Sequence, residues 1–169
     1  MKKLLILSLM IAFYFNGMAQ GSIRGFKVGG GLSLDIPASK TINDYSIGVG
    51  VDLLGHYGVT EKFAITGDIG YSTLFPKNKD NKSFNVIPIR AGIRFYPTNK
   101  VYFGGQAGVA IMKFSGLTSQ SNFAYAVGGG YRLDNKLDIG LNYEGSSLKY
   151  STGSVSFGYI GVRLGYFFN

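Results

Sequence analysis

The chain has 169 residues, of which 17 are Lys or Arg and nine are Asp or Glu, and its formal net charge is +8. This length fits one domain preceded by a short leader. The sequence contains no cysteine, which excludes disulfide bonds and thiolate metal sites. The basic residues do not cluster on a predicted helix or an aromatic platform, so a nucleic-acid partner is not expected.

The first predicted element is a secretory signal peptide over residues 1–19. It begins with two lysines after the initiating Met, continues as an apolar run over 4–15, and ends in small residues that offer a cleavage site before Gln20. The apolar run is too short for a membrane-spanning helix. Cleavage would leave residues 20–169 as the mature domain, and an uncleaved anchor or a buried first helix is the alternative.

The rest of the chain alternates with a period of two, which predicts β-strands. In the second strand Ile47, Val49 and Val51 alternate with Gly48 and Gly50. Strands of about ten or more residues suit a membrane crossing, and an even number of antiparallel strands can close without edges. We therefore predict an all-β fold, an eight-stranded antiparallel up-and-down transmembrane β-barrel. Its strands are predicted near residues 24–36, 45–57, 63–74, 84–96, 101–114, 122–132, 137–145 and 154–168.

Three short turns share one sequence pattern, at 58–62, 97–100 and 133–136. Their lysines recur 38 residues (62 to 100) and 36 residues (100 to 136) apart, which indicates a repeated pair of strands. We call the end of the barrel that carries these turns the turn end, and the opposite end the loop end. The loops predicted at the loop end lie near 37–44, 75–83, 115–121 and 146–153.

The two faces of the strands predict which side is inside. Many of the 26 glycines fall on the smaller face, which suits a narrow, strongly curved lumen. Aromatic residues fall near the strand ends, as in the two girdles of membrane barrels. They are Tyr57, Phe63, Phe95, Phe103 and Tyr131 towards the turn end, and Tyr45, Tyr71, Phe123, Tyr125 and Tyr143 towards the loop end. The alternative is a secreted sandwich or lipocalin-like barrel whose apolar face points inward.

Polar and charged side chains on the smaller face predict a buried network in the lumen. We expect Asp52 to lie beside Asp68, and Asp68 beside Arg90, so that the guanidinium offsets the repulsion between the two carboxylates. A packed polar plug is the expected role, and an ion-selective constriction or a gate is the alternative. The predicted network residues are Asp52, Asp68, Arg90, Arg94, Gln106, Asn142, Glu144 and Arg163.

Two further features bear on function. His56 is the only histidine and falls at the turn end, where no serine accompanies it in sequence, so neither catalysis nor a metal site is expected. No cofactor is predicted. The loop that carries Lys77, Lys79 and Lys82 is expected either to contact lipid phosphates or simply to be solvated.

The mature chain resembles the small eight-stranded outer-membrane barrels of Gram-negative bacteria, of the OmpA transmembrane domain and OmpX type. The resemblance rests on the leader, the four hairpins and the last strand, in which Leu164, Tyr166 and Phe168 continue an apolar face. In that family such an ending is the insertion signal read by the barrel assembly machinery, although Asn169 here follows the final aromatic. The resemblance implies an outer-membrane location, periplasmic turns and outer loops that face the outside.

The function expected from this resemblance is non-enzymatic. We expect a structural protein, or an accessory to outer-membrane lipid and lipopolysaccharide or to a larger envelope complex. Narrow porin-like or OmpW-like transport of small solutes is one alternative, and adhesion through the outer loops is another. A lipid A enzyme is disfavoured by the position of His56.

Overall fold

The computed structural model describes residues 23–78, 82–114, 120–150 and 153–169. They form eight strands and one short 3₁₀ helix, Lys40–Ile42. No helix among these residues is long and apolar enough to cross a membrane. The strands are β1 (Gly25–Pro37), β2 (Tyr45–Gly58), β3 (Phe63–Pro76), β4 (Phe84–Phe95), β5 (Val101–Phe114), β6 (Gln120–Arg132), β7 (Leu137–Tyr150) and β8 (Gly153–Phe167).

The eight strands form a closed antiparallel barrel in which each strand pairs with its neighbours in sequence. The first and last strands close it, with Leu32 of β1 opposite Leu164 of β8. Closure gives every strand two partners and removes the exposed edges of an open sheet. The predicted fold class and strand number are therefore confirmed.

The predicted loop at 146–153 is wrong, because β7 and β8 continue through it as a long hairpin. Ser146 lies opposite Phe157, and the register continues to the pair of Tyr150 and Gly153. A run rich in Ser and Gly has weak intrinsic strand preference. A neighbouring strand that supplies hydrogen bonds overrides this preference, because strand propensity depends on context.

The apolar face of the strands points out of the barrel. Leu53, Ile93 and Phe103, on three different strands, are each more than half exposed. The predicted girdle aromatics lie on this outer face, with the exception of Tyr45, whose ring is half-buried 5.9 Å from that of Phe84. The alternative of an inward apolar face is therefore wrong for most of the barrel.

The three short turns share one hydrogen-bonding scheme. Thr98 Oγ1 accepts hydrogen bonds from the backbone N–H groups of Lys100 and Val101. Thr60 and Asp134 do the same for the residues two and three positions after them. The backbone N–H groups of Leu137 and Lys136 lower the pKa of the Asp134 carboxyl below its usual value. The turn repeat in the sequence therefore reflects a repeated cap.

Candidate functional site

The lumen is filled at three levels by different side chains. At the turn end His56 Nε2 lies 3.1 Å from the hydroxyl of Tyr96, and both residues are buried. Charged side chains occupy the centre. Apolar side chains fill the loop end.

The first central cluster, which we call the Arg163 cluster, consists of Asp52, Arg94, Asp138 and Arg163. Arg163 donates two hydrogen bonds to Asp52, from Nε at 2.8 Å and from Nη2 at 2.7 Å. Its Nη1 donates to Asp138 at 3.0 Å, and Arg94 Nη1 reaches the other oxygen of Asp138 at 3.3 Å. Two guanidinium groups thus hold two carboxylates in a buried, charge-balanced set.

The second central cluster, the Arg90 cluster, consists of Asp68, Arg90, Glu144 and Tyr159. Arg90 Nη2 binds Asp68 at 2.9 Å, and Arg90 Nη1 binds Glu144 at 2.5 Å. The hydroxyl of Tyr159 donates to Glu144 at 3.0 Å. One guanidinium therefore serves two carboxylates, both of them largely shielded from solvent.

Glycines make room for these clusters. A Cβ atom on Gly31 would lie 2.5 Å from both Arg163 Nε and Asp52 Oδ2. A Cβ atom on Gly165 would collide with Arg163 Nη1 and Asp138 Oδ1. Since real Cβ contacts are not this short, any side chain at these positions would displace the ion pairs. The glycine face therefore provides the space that the guanidinium groups occupy.

The structure places the predicted network residues in the lumen, but the expected pairing of Asp52 with Asp68 is wrong. Asp52 lies opposite Gly70, and Asp68 lies opposite Leu54. Asp68 does lie opposite Arg90. The register between β2 and β3 differs by two residues from the expected one. Asp52 instead pairs with Arg163 of β8, over Gly31 of the intervening β1.

The two predicted amides have smaller roles than the charged residues. Gln106 Nε2 donates to Thr66 Oγ1 at 3.3 Å. Asn142 lines the central cavity, whose volume is about 50 Å³. A cavity of this size has room for a few water molecules. The centre of the lumen is therefore packed.

The buried lumen residues that sequence reasoning omitted include Asp35, Asp138 and Tyr159. Each falls on the inward face of its strand by the period-two pattern, and that alternation was the available signal. Asp138 bridges Arg94 and Arg163, and Tyr159 binds Glu144. Asp35 is completely buried, and neither of its carboxylate oxygens has a hydrogen-bond partner among the described residues.

An apolar cluster closes the loop end of the lumen, which the sequence analysis did not predict. The segment that follows β1 folds over this end, where Ala38 N donates to Gly158 O at 2.9 Å and Thr41 Oγ1 donates to Ser156 O at 3.0 Å. This places Ile42, only 3% exposed, against the cluster. The buried members of the cluster are Ile42, Leu74, Phe84, Val86, Ala110, Met112, Ala124, Phe157 and Tyr159.

Two of the three predicted lipid-contact lysines, Lys77 and Lys82, lie at the loop end. Lys77 is exposed and donates from Nζ to Asn43 Oδ1 at 3.3 Å. Lys82 is also exposed, and its carbonyl oxygen accepts from the hydroxyl of Tyr45 at 3.4 Å. Lys79 lies outside the described residues, as does the predicted signal peptide.

The predicted insertion signal lies on the outer face at the turn end. Leu164, Tyr166 and Phe168 are all about half exposed. Asn169 is tied to the first strand, because its Oδ1 accepts from Val28 N at 2.9 Å. The residue that departs from the usual ending therefore helps to hold β1 and the C-terminal segment together.

Comparison with known proteins agrees with this architecture. The family model described as "Outer membrane protein beta-barrel domain" matches residues 5–168. None of the curated protein sequences matches this chain.

Three solved structures show the same fold at low sequence identity. The attachment invasion locus protein Ail of Yersinia pestis is 17% identical, with a TM-score of 0.57 over 85% of this chain and 97% of Ail. Neisserial surface protein A is 13% identical, with a TM-score of 0.55 over 83% of this chain and 96% of that protein. OprG from Pseudomonas aeruginosa is 12% identical, with a TM-score of 0.51 over 89% of this chain and 100% of OprG.

Proposed function

This chain belongs to the outer membrane protein β-barrel family, and we propose that within this family it is a closed, non-enzymatic barrel. Its role is structural, or accessory to outer-membrane lipid or to a larger envelope complex. The observation that carries this proposal is the filled lumen, in which two ion-pair clusters and an apolar cluster follow one another along the axis. An eight-stranded barrel is only wide enough for its own side chains, and here they occupy that width.

The absence of catalysis is also part of the proposal. His56 is held by Tyr96 and Phe167 at the turn end, with its ring centroid 5.9 Å from that of Phe167. Hydrolysis by a serine would need a hydroxyl, a base and an orienting acid within hydrogen-bond reach of one another. Incubation of the folded protein with lipopolysaccharide, followed by mass spectrometry of the lipid, tests this point. A change in acyl composition would contradict it.

Export and insertion into the membrane are proposed from the sequence. Residues 1–19 are a signal peptide, so the mature protein begins at Gln20, which mass spectrometry of the purified protein tests. The face formed by Leu164, Tyr166 and Phe168 engages the barrel assembly machinery, and Phe168→Ala is expected to reduce insertion in cells. Leu148→Ala, on the same hairpin but outside this ending, is the control.

A further proposed partner is lipopolysaccharide, whose phosphates the loop lysines contact. Replacing Lys77, Lys79 and Lys82 together by Ala is expected to weaken binding to lipopolysaccharide vesicles. The same change at the turn lysines Lys62, Lys100 and Lys136 is the control. Equal binding by both triple variants would contradict this contact.

The first experiment is a two-step measurement on the refolded protein. A heat-dependent shift in gel mobility shows that the barrel has formed, and single-channel recording of the same sample in planar bilayers then measures conductance. We expect the mobility shift with no conductance. A known porin in the same bilayer is the positive control, and discrete conductance steps from this protein would favour narrow transport over a closed barrel.

Adhesion is a less supported alternative. Ail has been solved in complex with the heparin analogue sucrose octasulfate. The strand bounds leave only residues 38–44, 77–83, 115–119 and 151–152 between strands at the loop end, which is little sequence from which to build a ligand-binding surface. Binding of the folded protein to immobilised heparin, compared with the triple Ala variant of Lys77, Lys79 and Lys82, tests it.

A further inference from the structure

One carboxylate in the lumen lacks a counterion. Asp35 lies on β1, near the loop end, with no part of its surface exposed. The hydroxyls of Ser33 and Ser72 are near enough to influence its carboxylate, but neither forms a hydrogen bond of good geometry with it. A buried charge without a partner is costly, and buried polar atoms normally have one. The carboxylate oxygens of Asp35 can therefore still bind a ligand.

Oxygen atoms from two strands converge beside Asp35, over Gly50. Gly50 on β2 lies opposite Ser33 on β1 and opposite Ser72 on β3. A Cβ atom on Gly50 would lie 2.5 Å from Ser72 Oγ and 3.3 Å from Asp35 Oδ2, and it would also contact Ser33 Oγ. The absence of a side chain at position 50 therefore makes room for two hydroxyls beside the Asp35 carboxylate.

A second carboxylate approaches Asp35 from its other side, near Oδ1. A Cβ atom on Gly161 would lie 3.0 Å from Asp35 Oδ1 and 4.0 Å from Glu144 Oε1. The other oxygen of Glu144, Oε2, binds Arg90 and Tyr159. Glu144 can therefore use one oxygen in the Arg90 cluster and offer the other towards Asp35.

With all three nearby carboxyl groups ionised, the net charge around Asp35 would be −2. Asp35, Asp68 and Glu144 are served by Arg90 alone, whereas the Arg163 cluster has two carboxylates and two guanidinium groups. The other inward cations are remote. Lys27 lies opposite His56, eight residues from Asp35 along β1, which corresponds to about 26 Å. Arg132 donates to the carbonyl of Asn99 in a short turn.

We propose that Asp35, Glu144, Ser33 and Ser72 bind one hard divalent cation, of which Ca²⁺ is the best fit. Ca²⁺ takes six to eight oxygen ligands in flexible geometry, so two carboxylates and two hydroxyls leave places for backbone carbonyls or water. No group of three or more His, Asp or Glu side chains in the described part of the chain forms a metal site. In the proposed site only two ligands are carboxylates, and the hydroxyls of Ser33 and Ser72 replace a third acidic side chain. A set of oxygen ligands favours Ca²⁺ over softer metals.

Calcium titration of the folded protein tests this site. The protein is refolded in EDTA, and its midpoint of unfolding in urea is then measured by heat-modifiable mobility at increasing Ca²⁺. Above the dissociation constant, each tenfold rise in Ca²⁺ is expected to stabilise the protein by the same increment, which corresponds to about 1.4 kcal/mol. Asp35→Asn keeps the size of the side chain and is expected to abolish the response. Asp44→Asn, at an exposed loop carboxylate, is the matched control.

The outcomes of the titration separate the possible explanations. Loss of the response in Asp35→Asn and its retention in Asp44→Asn supports the site. An equal response in both variants would place the cation elsewhere and overturn the proposal. No response in the wild type, with Asp35→Asn at least as stable, would mean that Asp35 is buried as the neutral acid and would also overturn it. A response to Na⁺ as large as that to Ca²⁺ would overturn the divalent assignment.

Terbium luminescence gives a direct binding readout. The chain has no tryptophan, and the hydroxyl of Tyr159 lies 3.0 Å from Glu144 Oε2, so a nearby tyrosine can sensitise bound Tb³⁺. We expect emission that Ca²⁺ displaces, that is absent in Asp35→Asn, and that needs higher Tb³⁺ in Ser72→Ala. Emission that is unchanged in Asp35→Asn would overturn the site whether or not the barrel conducts.

Discussion

The centre and the loop end of the lumen are built on the same strands, yet they are closed by opposite chemistry. At the centre, guanidinium groups hold carboxylates at 2.5 to 3.3 Å. At the loop end, side chains such as Phe84 and Leu74 are fully buried against Ile42, which arrives from outside the strands. The difference shows that inward alternation alone does not decide polarity. The charges at the centre lie where an oppositely charged partner is within reach, and the apolar groups lie where a loop covers the end of the barrel.

The largest expected effect comes from Arg90→Ala, which disrupts the charged centre of the lumen. It leaves Asp68 and Glu144 without a cation, and we expect a loss of about 3 to 5 kcal/mol in the free energy of unfolding. Asp52 is unaffected, because Arg163 holds it. Urea titration in detergent measures the loss. Arg24→Ala, at an ion pair with Glu61 that is more than half exposed, is the control and should cost about 0 to 1 kcal/mol.

The outcome of the Arg90 experiment tells how dry the centre is. A loss below about 1 kcal/mol would mean that Asp68 and Glu144 are solvated, as surface carboxylates are. In that case the centre would resemble a water-filled channel more than the apolar loop end.

The second largest expected effect comes from a substitution in the apolar cluster at the loop end. Phe84→Ala removes a fully buried ring, and we expect a loss of about 3 kcal/mol from lost contacts and the remaining cavity. Phe123→Ala, at a lipid-facing ring that is 57% exposed, is the control and should cost less than half as much. Unfolding in urea with and without added salt distinguishes the charged centre from the apolar loop end, because the Phe84 effect is expected to be independent of salt. A strong salt dependence would show that the loop end is not the apolar region described here.

A third experiment tests how tightly the Arg163 cluster is packed. Gly31→Ala places a Cβ atom where Arg163 and Asp52 lie, and we expect a loss of about 1 to 3 kcal/mol from overpacking. The matched control is Gly55→Ala on the outer face, where the nearest atom is 3.7 Å from the added Cβ. This control should be neutral or slightly stabilising. Equal unfolding free energies for the two variants would show that the ion pairs can move aside.

The smallest expected effect concerns the short turns, which lie outside both the charged centre and the apolar loop end of the lumen. Because backbone N–H groups lower the pKa of Asp134, its ionised form stabilises the turn above the usual Asp pKa of about 3.9. This contribution is lost as the pH falls through the lowered pKa. Asp134→Thr, which copies the turn at Thr98, should remove the pH dependence. The measurement is the difference in urea midpoint between the two proteins at neutral and acid pH, and a constant difference would contradict the assignment.

The sequence by itself determined the number of strands, the face that each presents to lipid, and the end that carries the short turns. These features follow from local rules. Alternation with a period of two assigns faces, and a threonine or aspartate three residues before the strand caps each turn, as at Thr98 and Asp134. Neither rule needs knowledge of residues far away in the chain. The family resemblance added the expected location and orientation.

Tertiary structure alone decided the partners inside the barrel. Arg163 on β8 binds Asp52 on β2, and Arg90 on β4 binds Glu144 on β7. These strands are not neighbours, so reasoning about adjacent strands cannot find such pairs. They form because closure places β8 beside β1 and because long side chains in a narrow lumen reach past intervening strands. The same closure continues β7 and β8 through a predicted loop, seats Ile42 over the lumen and leaves Asp35 buried beside Gly50.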